Sequence, residues 1–300
     1  MKIKNLRWWI AGILALGTAN SYIDRQSFPV VIDEIRNTIE ISESQFGLLC
    51  SLFLIAYAIM YAGGGRLLDA LGTRTGYGLL VIWWTIATAA QGLLGSVLGF
   101  GIARFALGLG EGGTFPASAK AVSEWFPAKE RSIAFGIFNT GSSLGAIIAP
   151  PVIAAIIMAS TWRWVFFFGA FLGVVWLVLW YIFYNNGPAK SKFVTKKEQD
   201  YIETGKEEAI KTADKKAKVK WIHLFRFRSL NALMIAKFLT DSAWYFFIFW
   251  LPTFLASERG LDIEGIGLNA WIPWVFAACG SFFGGLSSSY LLQKGMSLNK

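Results

Sequence analysis

Long stretches of apolar residues without a charged side chain alternate with short polar segments along the chain. No Asp, Glu, Lys or Arg occurs in residues 44–65, 75–103, 132–162, 164–189 or 265–293. Each stretch is longer than the ~20 residues with which an α-helix spans the hydrocarbon core of a bilayer. The apolar residues within each stretch are continuous and do not alternate with polar ones, which argues against membrane-spanning β-strands. The pattern therefore predicts an all-α membrane protein.

Eight transmembrane helices are predicted from these stretches and the apolar segments beside them. They cover about 8–31, 45–67, 75–95, 97–124, 131–158, 163–185, 229–256 and 265–292. We expect an N-terminal bundle of six helices at 1–186, a linker at 187–228 and the first two helices of a second bundle at 229–300. The segment GGRLLDALGTR at 64–74 is similar to GGLSSSYLLQKG at 284–295, which indicates a six-helix repeat. Because the second unit has only two of the six helices of such a repeat, we expect the chain to be truncated.

Composition supports a membrane protein and narrows its partners. Hydrophobic residues make up 55% of the chain and charged residues 16%, below the ~25% of soluble proteins. Much of the net charge of +9 lies in the linker, where twelve Lys or Arg accompany six Asp or Glu. A basic segment beside a membrane is attracted to anionic lipid headgroups, so we expect membrane lipid and no nucleic acid as a partner. His223 is the only histidine, and we expect neither a metal site nor a cofactor.

Lys and Arg are concentrated in alternate loops. They occur before the first helix and in the second and fourth loops, as Lys2, Lys4, Arg7, Arg66, Arg74, Lys120, Lys129 and Arg131. The first loop carries Asp33, Glu34, Glu40 and Glu43, and the seventh carries Glu258, Asp262 and Glu264 against Arg259. Cytoplasmic loops carry an excess of Lys and Arg. The N-terminus and the even-numbered loops are therefore predicted to be cytoplasmic.

Away from the ends of the predicted helices, at bilayer depth, charged residues fall on the first, fourth and seventh helices. They are Asp24, Arg25, Arg104, Glu111, Lys237 and Asp241. Charges at this depth are rare unless they face protein or a water-filled cavity. The charged helices are thus three helices apart, which is the spacing expected if inverted three-helix repeats each place one helix beside a central cavity. The residues alone leave open a purely structural ion-pair network, or a site in which arginine binds a carboxylate.

The spacing of these charges indicates which of them share a helix face. Arg104 and Glu111 are seven residues apart, so two turns separate them on one face of a helix. Lys237 and Asp241 are four residues apart and can pair along their own helix, but their role is not evident from the sequence.

Several segments resemble a known family. GRLLDALGTR at 65–74 resembles the loop signature of the major facilitator superfamily, and its elements are Gly65, Asp69, Gly72 and Arg74. RFALGLGEGGTFPA at 104–117 and EWFPAKERSIAFGIFNTGSSLGAIIAPP at 124–151 resemble the anion:cation symporter family within it. KFLTDSAWYFFIFWLP at 237–252 and the closing GGLSSSYLLQKGMSLNK are similar to its hexuronate-type members.

The resemblance implies twelve helices in two bundles of six, alternating access and proton-coupled uptake of sugar acids. Four helices of that fold are absent here, so we do not expect residues 1–300 to transport by themselves. Some hexuronate-type members lack an acidic residue at the position of Asp24, and its presence is closer to the galactonate type. The resemblance therefore implies a sugar acid without identifying it.

The resemblance also implies roles for particular residues. Tyr22, Asp24 and Arg25 of the first helix and Arg104 and Glu111 of the fourth match positions that are associated with carboxylate binding and proton coupling. We expect Arg25 to bind the substrate carboxylate and Glu111 to carry the proton. We expect Asp24 to pair with Arg104 and to hold the two helices in register. Further substrate contacts are expected from Tyr22, Tyr57, Asn139 and Trp244, and a gating loop from Gly65, Asp69, Gly72 and Arg74.

These observations predict a monomeric symporter that imports a sugar acid, such as a hexuronate or aldonate, across a bacterial inner membrane. An efflux antiporter is one alternative, although it would require an excess of acidic residues in the cavity. A receptor that binds a sugar acid without flux is another. An enzyme is not expected, because the predicted helices contain no Ser/His or His/Glu metal constellation.

The first prediction concerns topology: both ends of the chain and residues 187–228 are expected on the cytoplasmic side, because of the asymmetry of Lys and Arg. Single cysteines introduced at Lys211 and Asp262 in a background without Cys50 and Cys279 test this with a membrane-impermeant thiol reagent. We expect external labelling at 262 and none at 211 until the membrane is permeabilised. Equal external labelling of the two positions would contradict the topology.

Overall fold

A computed structural model of the chain describes residues 2–212 and 225–280, together with Phe283 and Lys294. The helices are α1 (Leu6–Val30), α2 (Ile32–Arg36), α3 (Glu43–Leu71), α4 (Thr73–Gln91), α5 (Val97–Glu111), α6 (Thr114–Trp125), α7 (Arg131–Ala159), α8 (Trp162–Phe183), α9 (Lys196–Thr212), α10 (Arg228–Phe249), α11 (Leu251–Arg259) and α12 (Ile263–Asn269), and residues 272–280 are also helical. The ranges that are described contain no β-strand, only one isolated bridge between Ile3 and Val194. The all-α prediction is confirmed.

Three of the eight predicted helices are interrupted. The fourth is divided into α5 and α6, the seventh into α10 and α11, and the eighth into α12 and the helix at 272–280. A proline lies just after each break and has no N–H to donate to the carbonyl four residues earlier. The pairs are Pro116 with Gly112, Pro252 with Ile248 and Pro273 with Asn269. These breaks were not predicted from the sequence, because apolar residues continue across them.

The turn between α3 and α4 is shorter than the loop predicted at 65–74. Gly65 and Asp69 lie within α3, which continues to Leu71. Gly72 alone separates α3 from α4, and its φ of 75° lies in the left-handed region. A side chain is strained there, whereas glycine adopts this conformation readily. The reversal therefore depends on one glycine. The similar segment at 284–295 lies outside the described residues apart from Lys294.

The outer surface of the helices is apolar, as expected for a protein that faces lipid. Large side chains such as Trp9, Ile86, Ile102 and Phe171 are exposed. Continuous exposed apolar surface of this kind marks a membrane interface. By length and composition, four described helical segments can cross a membrane: Glu43–Leu71, Ala128–Ala159, Trp162–Phe183 and Arg228–Phe249.

The first half of the predicted linker is a helix docked onto the bundle. In α9, Glu198 accepts hydrogen bonds from the backbone N–H of Leu6 at 3.0 Å and of Arg7 at 3.2 Å. A carboxylate at the N-terminus of α1 also interacts favourably with the helix dipole. Arg7 forms ion pairs with Glu198 at 2.9 Å and with Glu130 at 2.8 Å. The hydroxyl group of Tyr201 donates a hydrogen bond to Glu130 at 3.0 Å, and this bond raises the pKa of Tyr201. Residues 213–224 of the linker lie outside the described residues.

Helices α1 and α7 approach one another closely at two glycines. Gly141 faces the backbone of Ala15, and a methyl group added to Gly141 would lie 2.9 Å from the Ala15 carbonyl carbon. Gly145 faces Ala19 in the same way, with 2.9 Å to its Cα and to Cβ of Tyr22. Small residues permit such contact between membrane helices. The G-x-x-x-G segment formed by Gly141 and Gly145 thus sets the contact between α1 and α7, and it fixes the rotation at which α1 presents its polar residues.

The second prediction follows from this contact. Gly141→Ala should lower the free energy of unfolding by about 1–3 kcal/mol, because the methyl group has no room and the helices must separate. Gly136→Ala on the same helix is the matched control, since a methyl group there meets no atom within 4 Å. Thermal unfolding of the purified variants in detergent measures both. Equal midpoints for the two variants would contradict the close approach.

Candidate functional site

A cavity of about 1160 Å³ lies between helices of the N-terminal bundle and α10. Its walls come from α1, α3, α6, α7 and α10, and from the helix at 272–280. The lining residues include four of those predicted from the sequence: Tyr22, Tyr57, Asn139 and Trp244. A cavity of this size, lined by aromatic rings with a few polar groups, is typical of a small-molecule site.

Aromatic residues form one side of the cavity. Tyr22 packs edge-on against Trp244 with ring centroids 6.3 Å apart, and Trp244 packs against Trp274 at 4.9 Å. Tyr245 also lines the cavity and was not identified from the sequence, although it follows Trp244 directly. Polar side chains of α7 also line the cavity, namely Asn139, Thr140, Ser142 and Ser143.

The cavity is closed at one end of the bundle and open at the other. We define the acidic end as the one that holds residues 31–42 and 260–262, and the basic end as the one that holds the N-terminus and residues 72 and 126–130. At the acidic end, Phe46 packs edge-on against Trp250 at 5.2 Å, and Gly267 of α12 faces Pro150 and Ala154 of α7. Lining side chains nearer the basic end are exposed, among them Tyr61, Asn139 and Lys237.

Arg25 and Glu111 form a buried ion pair beside the cavity. Arg25 Nη2 donates to Glu111 Oε2 at 2.9 Å and Arg25 Nε donates to the same oxygen at 3.2 Å. Ser21, one turn before Arg25 on α1, also donates to this oxygen at 2.9 Å. Both side chains of the pair are at most 1% exposed. The sequence placed both residues at the site, and in the structure they are in direct contact.

Two tyrosines separate Arg25 from the cavity. The guanidinium lies 4.6 Å from the ring centroid of Tyr22 and 4.8 Å from that of Tyr57. Both rings line the cavity, whereas Arg25 does not. Cation–π contact stabilises the guanidinium where water is excluded. A ligand in the cavity therefore reaches Arg25 only when a tyrosine side chain moves.

Arg104 lies deeper and is enclosed by aromatic rings. Its guanidinium is 4.6 Å from the ring centroid of Phe53, 5.1 Å from that of Phe28 and 5.9 Å from that of Phe249. Its three nitrogens are buried without a hydrogen-bond partner. The predicted pair between Arg104 and Asp24 is therefore wrong.

Asp24 faces away from Arg104. Its carboxylate lies against Gly169 of α8, and Thr88 of α4 lies against the same glycine. Neither carboxylate oxygen of Asp24 has a hydrogen-bond partner, although the side chain is buried. Adjacent residues on a helix point ~100° apart, so packing of Arg25 against α5 turns Asp24 toward α4 and α8. An ionised carboxylate without a partner is costly in such a place.

Lys237 and Asp241 line the cavity and pair with one another. Lys237 Nζ lies 2.7 Å from Asp241 Oδ1, as their spacing on α10 allows. The side chains are 71% and 37% exposed, so this pair is much more accessible than that of Arg25 and Glu111.

The α3–α4 turn lies at the basic end, away from the cavity. Asp69 forms an ion pair with Lys120 of α6, and Lys120 also donates to the carbonyl of Leu68 at 3.0 Å. Arg74 donates from its backbone to Asn186 Oδ1 at 2.7 Å. These bonds tie the turn to α6 and to the residues after α8.

Two curated proteins are similar over most of the chain. The galacturonate transporter of Dickeya chrysanthemi is 35% identical over 298 residues, which is 99% of this chain and 86% of that protein. The hexuronate transporter of Escherichia coli K12 is 37% identical over 284 residues, which is 95% of this chain. The chain spans 65% of the length of that second protein. Both relatives are transporters and not enzymes.

A solved structure with the same fold is that of a bacterial homologue of the human lysosomal transporter Spinster. It superposes with a TM-score of 0.77 at 22% identity and covers 97% of this chain, which itself covers 64% of that one. The profile of the Major Facilitator Superfamily matches residues 14–298, nearly the whole chain. The all-α bundle is thus of the major facilitator type, and the chain belongs to the Major Facilitator Superfamily.

Proposed function

We propose that this protein imports a sugar acid, such as a hexuronate or an aldonate, together with a proton. The observation that carries the proposal is the buried pair of Arg25 and Glu111 behind the tyrosines of an open cavity. The names of the galacturonate and hexuronate transporters supply the class of substrate. Arginine suits this class, because its planar guanidinium binds a carboxylate with two parallel hydrogen bonds.

Exchange of partners at Arg25 couples substrate to proton. A substrate carboxylate that reaches Arg25 competes with Glu111 for the guanidinium. Glu111 then loses the charge that compensates it in a buried place, and a proton replaces that charge. By linkage, protonation of Glu111 frees Arg25 and strengthens binding of the anion. The pair thus makes the two ligands bind together.

Asp24 is proposed as a second group in proton coupling. Its carboxylate is buried without a hydrogen-bond partner and has no ion pair with an arginine. Arg104, which also has no partner, contributes positive potential to the site and is available to an anion only when Phe249 of α10 moves. Movement of the two halves relative to one another would thus expose Arg104 to an anion, and together with protonation of Asp24 this would change the net charge of the site.

The remaining contacts suit a polyhydroxylated ligand. Tyr22, Tyr57 and Asn139 offer hydrogen bonds, and the ring of Trp244 offers an apolar face on which a sugar can stack. We propose residues 1–186 and 229–300 as parts of the two halves that alternate, and residues 187–228 as the cytoplasmic connection. We also propose that the protein resides in the inner membrane as a monomer with a cytoplasmic N-terminus, in contact with membrane lipid.

The third prediction tests the coupling. Glu111→Gln should bind and exchange substrate but lose accumulation driven by a pH gradient, because an amide can accept from Arg25 and Ser21 but cannot take up a proton. Counterflow and gradient-driven uptake of galacturonate and galactonate by the full-length gene product in proteoliposomes measure the two activities.

The matched control is Glu264→Gln, an exposed carboxylate at the acidic end, which should accumulate substrate normally. Gradient-driven accumulation by Glu111→Gln at the wild-type level would move the proton to Asp24 or Asp241. Binding without any flux in the wild-type protein would favour a receptor over a transporter.

The fourth prediction concerns the proposed gate at the α3–α4 turn. Asp69→Asn removes the charge that pairs with Lys120, so movement between α3 and α6 should change while the cavity does not. We expect several-fold slower uptake with an unchanged equilibrium affinity. Asp200→Asn, another exposed carboxylate at the basic end, is the control and should leave the rate unchanged. A large loss of affinity in Asp69→Asn would contradict a gating role.

A further inference from the structure

The cavity has a second charged element besides the buried pair at Arg25. Among its described lining residues, Lys237 and Asp241 are the charged ones. They lie on α10, and Asn139 and Ser143 of α7 line the same cavity. The role proposed above for the cavity, binding of a carboxylate at Arg25, uses neither of them.

The two charged elements are placed to contact opposite ends of one ligand. Asp241 is followed nearly one turn later on α10 by Trp244, whose ring packs against Tyr22 with centroids 6.3 Å apart, and the ring of Tyr22 lies 4.6 Å from the Arg25 guanidinium. Asp241, Trp244 and Tyr22 all line the same cavity. A ligand whose carboxylate has displaced Tyr22 and reached Arg25 therefore extends along Trp244 toward Asp241.

The chemistry of the pair discriminates between possible far ends. Lys237 Nζ lies 2.7 Å from one carboxylate oxygen of Asp241, so the ammonium group is already engaged. The second oxygen of Asp241 remains available to accept a hydrogen bond from a hydroxyl group. A ligand carboxylate beside that second oxygen would have no proton to donate and would lie nearer to the like charge of Asp241 than to Lys237, which opposes its binding.

We propose that the pair of Lys237 and Asp241 selects sugar acids with one carboxylate and a hydroxyl at the far end, and excludes dicarboxylic sugar acids. This inference rests on the proposed function, since it requires a sugar acid to be bound at Arg25. It assigns Asp241 the recognition of the far hydroxyl. Lys237 orients Asp241 and keeps the mouth of the cavity close to neutral, so that a monoanion is not repelled on entry.

Galactonate and galactarate are suitable probes, because they differ only in a terminal hydroxymethyl group that is a carboxylate in galactarate. Equilibrium binding of both, and of galacturonate, is measured on the full-length gene product in nanodiscs. The wild-type protein should bind the better monoacid at least about tenfold more tightly than galactarate. Asp241→Asn should tighten galactarate binding about tenfold and change binding of the monoacids by less than threefold.

Three further variants complete the test. Lys237→Gln exposes an unpaired carboxylate and should weaken galactarate more than the monoacids. Lys237→Gln combined with Asp241→Asn should show the narrow selectivity of Asp241→Asn alone. Glu258→Gln, an exposed carboxylate of α11, is the control and should leave all three affinities unchanged. Both pair residues are accessible, and size-exclusion profiles confirm that the variants remain folded.

The outcomes separate this inference from the proposed function. Equal wild-type binding of galactarate and the monoacids, or an unchanged ratio in Asp241→Asn, would overturn the role of the pair while the sugar-acid site stands. If the wild-type protein instead prefers galactarate, and Lys237→Gln loses galactarate binding, the pair would be assigned to dicarboxylate binding. Absence of binding of all three probes to the wild-type protein would refute the proposed function and the inference with it.

Discussion

The buried ion pair between Arg25 and Glu111 is the constraint around which the N-terminal half is arranged. Taking both charges out of water costs several kcal/mol for each ion, and the pair compensates only while the contact is intact. Ser21 and the rings of Tyr22 and Tyr57 surround the guanidinium and complete its contacts. Any species that separates the pair must therefore replace one of its charges. This requirement is the physical basis of the coupling between anion and proton proposed above.

Close packing of the backbone is what brings the pair together. Gly141 and Gly145 allow α7 to lie directly against α1. In the same way, Gly108 of α5 lies against the backbone of Phe53, and Gly112, just after α5, lies against the backbone of Tyr57. Side chains larger than hydrogen at these positions would push the helices apart. The polar residues of α1 and α5 then could not meet across the bundle interior. The many glycines of the chain thus determine the electrostatics as well as the packing.

Much of the fold could be predicted because continuous apolar sequence is a strong signal for membrane helices. The breaks after Glu111, Phe249 and Asn269 were missed although Pro116, Pro252 and Pro273 were visible, because apolar continuity outweighed a local signal. Docking of α9 could not be foreseen, since Glu198 finds its partners at Leu6 and Arg7, which are distant in sequence.

The choice of partners within the site was also beyond the sequence. Asp24 and Glu111 are both carboxylates within reach of arginines, and spacing alone does not decide which one Arg25 contacts. The decision depends on the rotation of α1, which the contact of Gly141 and Gly145 with Ala15 and Ala19 sets. Residue types therefore identified the members of the site, and only three-dimensional packing assigned Glu111 to Arg25 and left Asp24 facing α8.

The tyrosines control access from the cavity to the buried ion pair. Tyr22 and Tyr57 lie between Arg25 and a cavity that opens at the basic end, so water in the cavity does not reach the ion pair directly. Weak hydration keeps the interaction of Arg25 with Glu111 strong, because charges attract more strongly in a medium of low dielectric constant. In the mechanism proposed above, a carboxylate that displaces a tyrosine enters the same environment and gains the same strength of interaction. The rings that protect the resting pair would thus also strengthen binding of an anion that replaces Glu111.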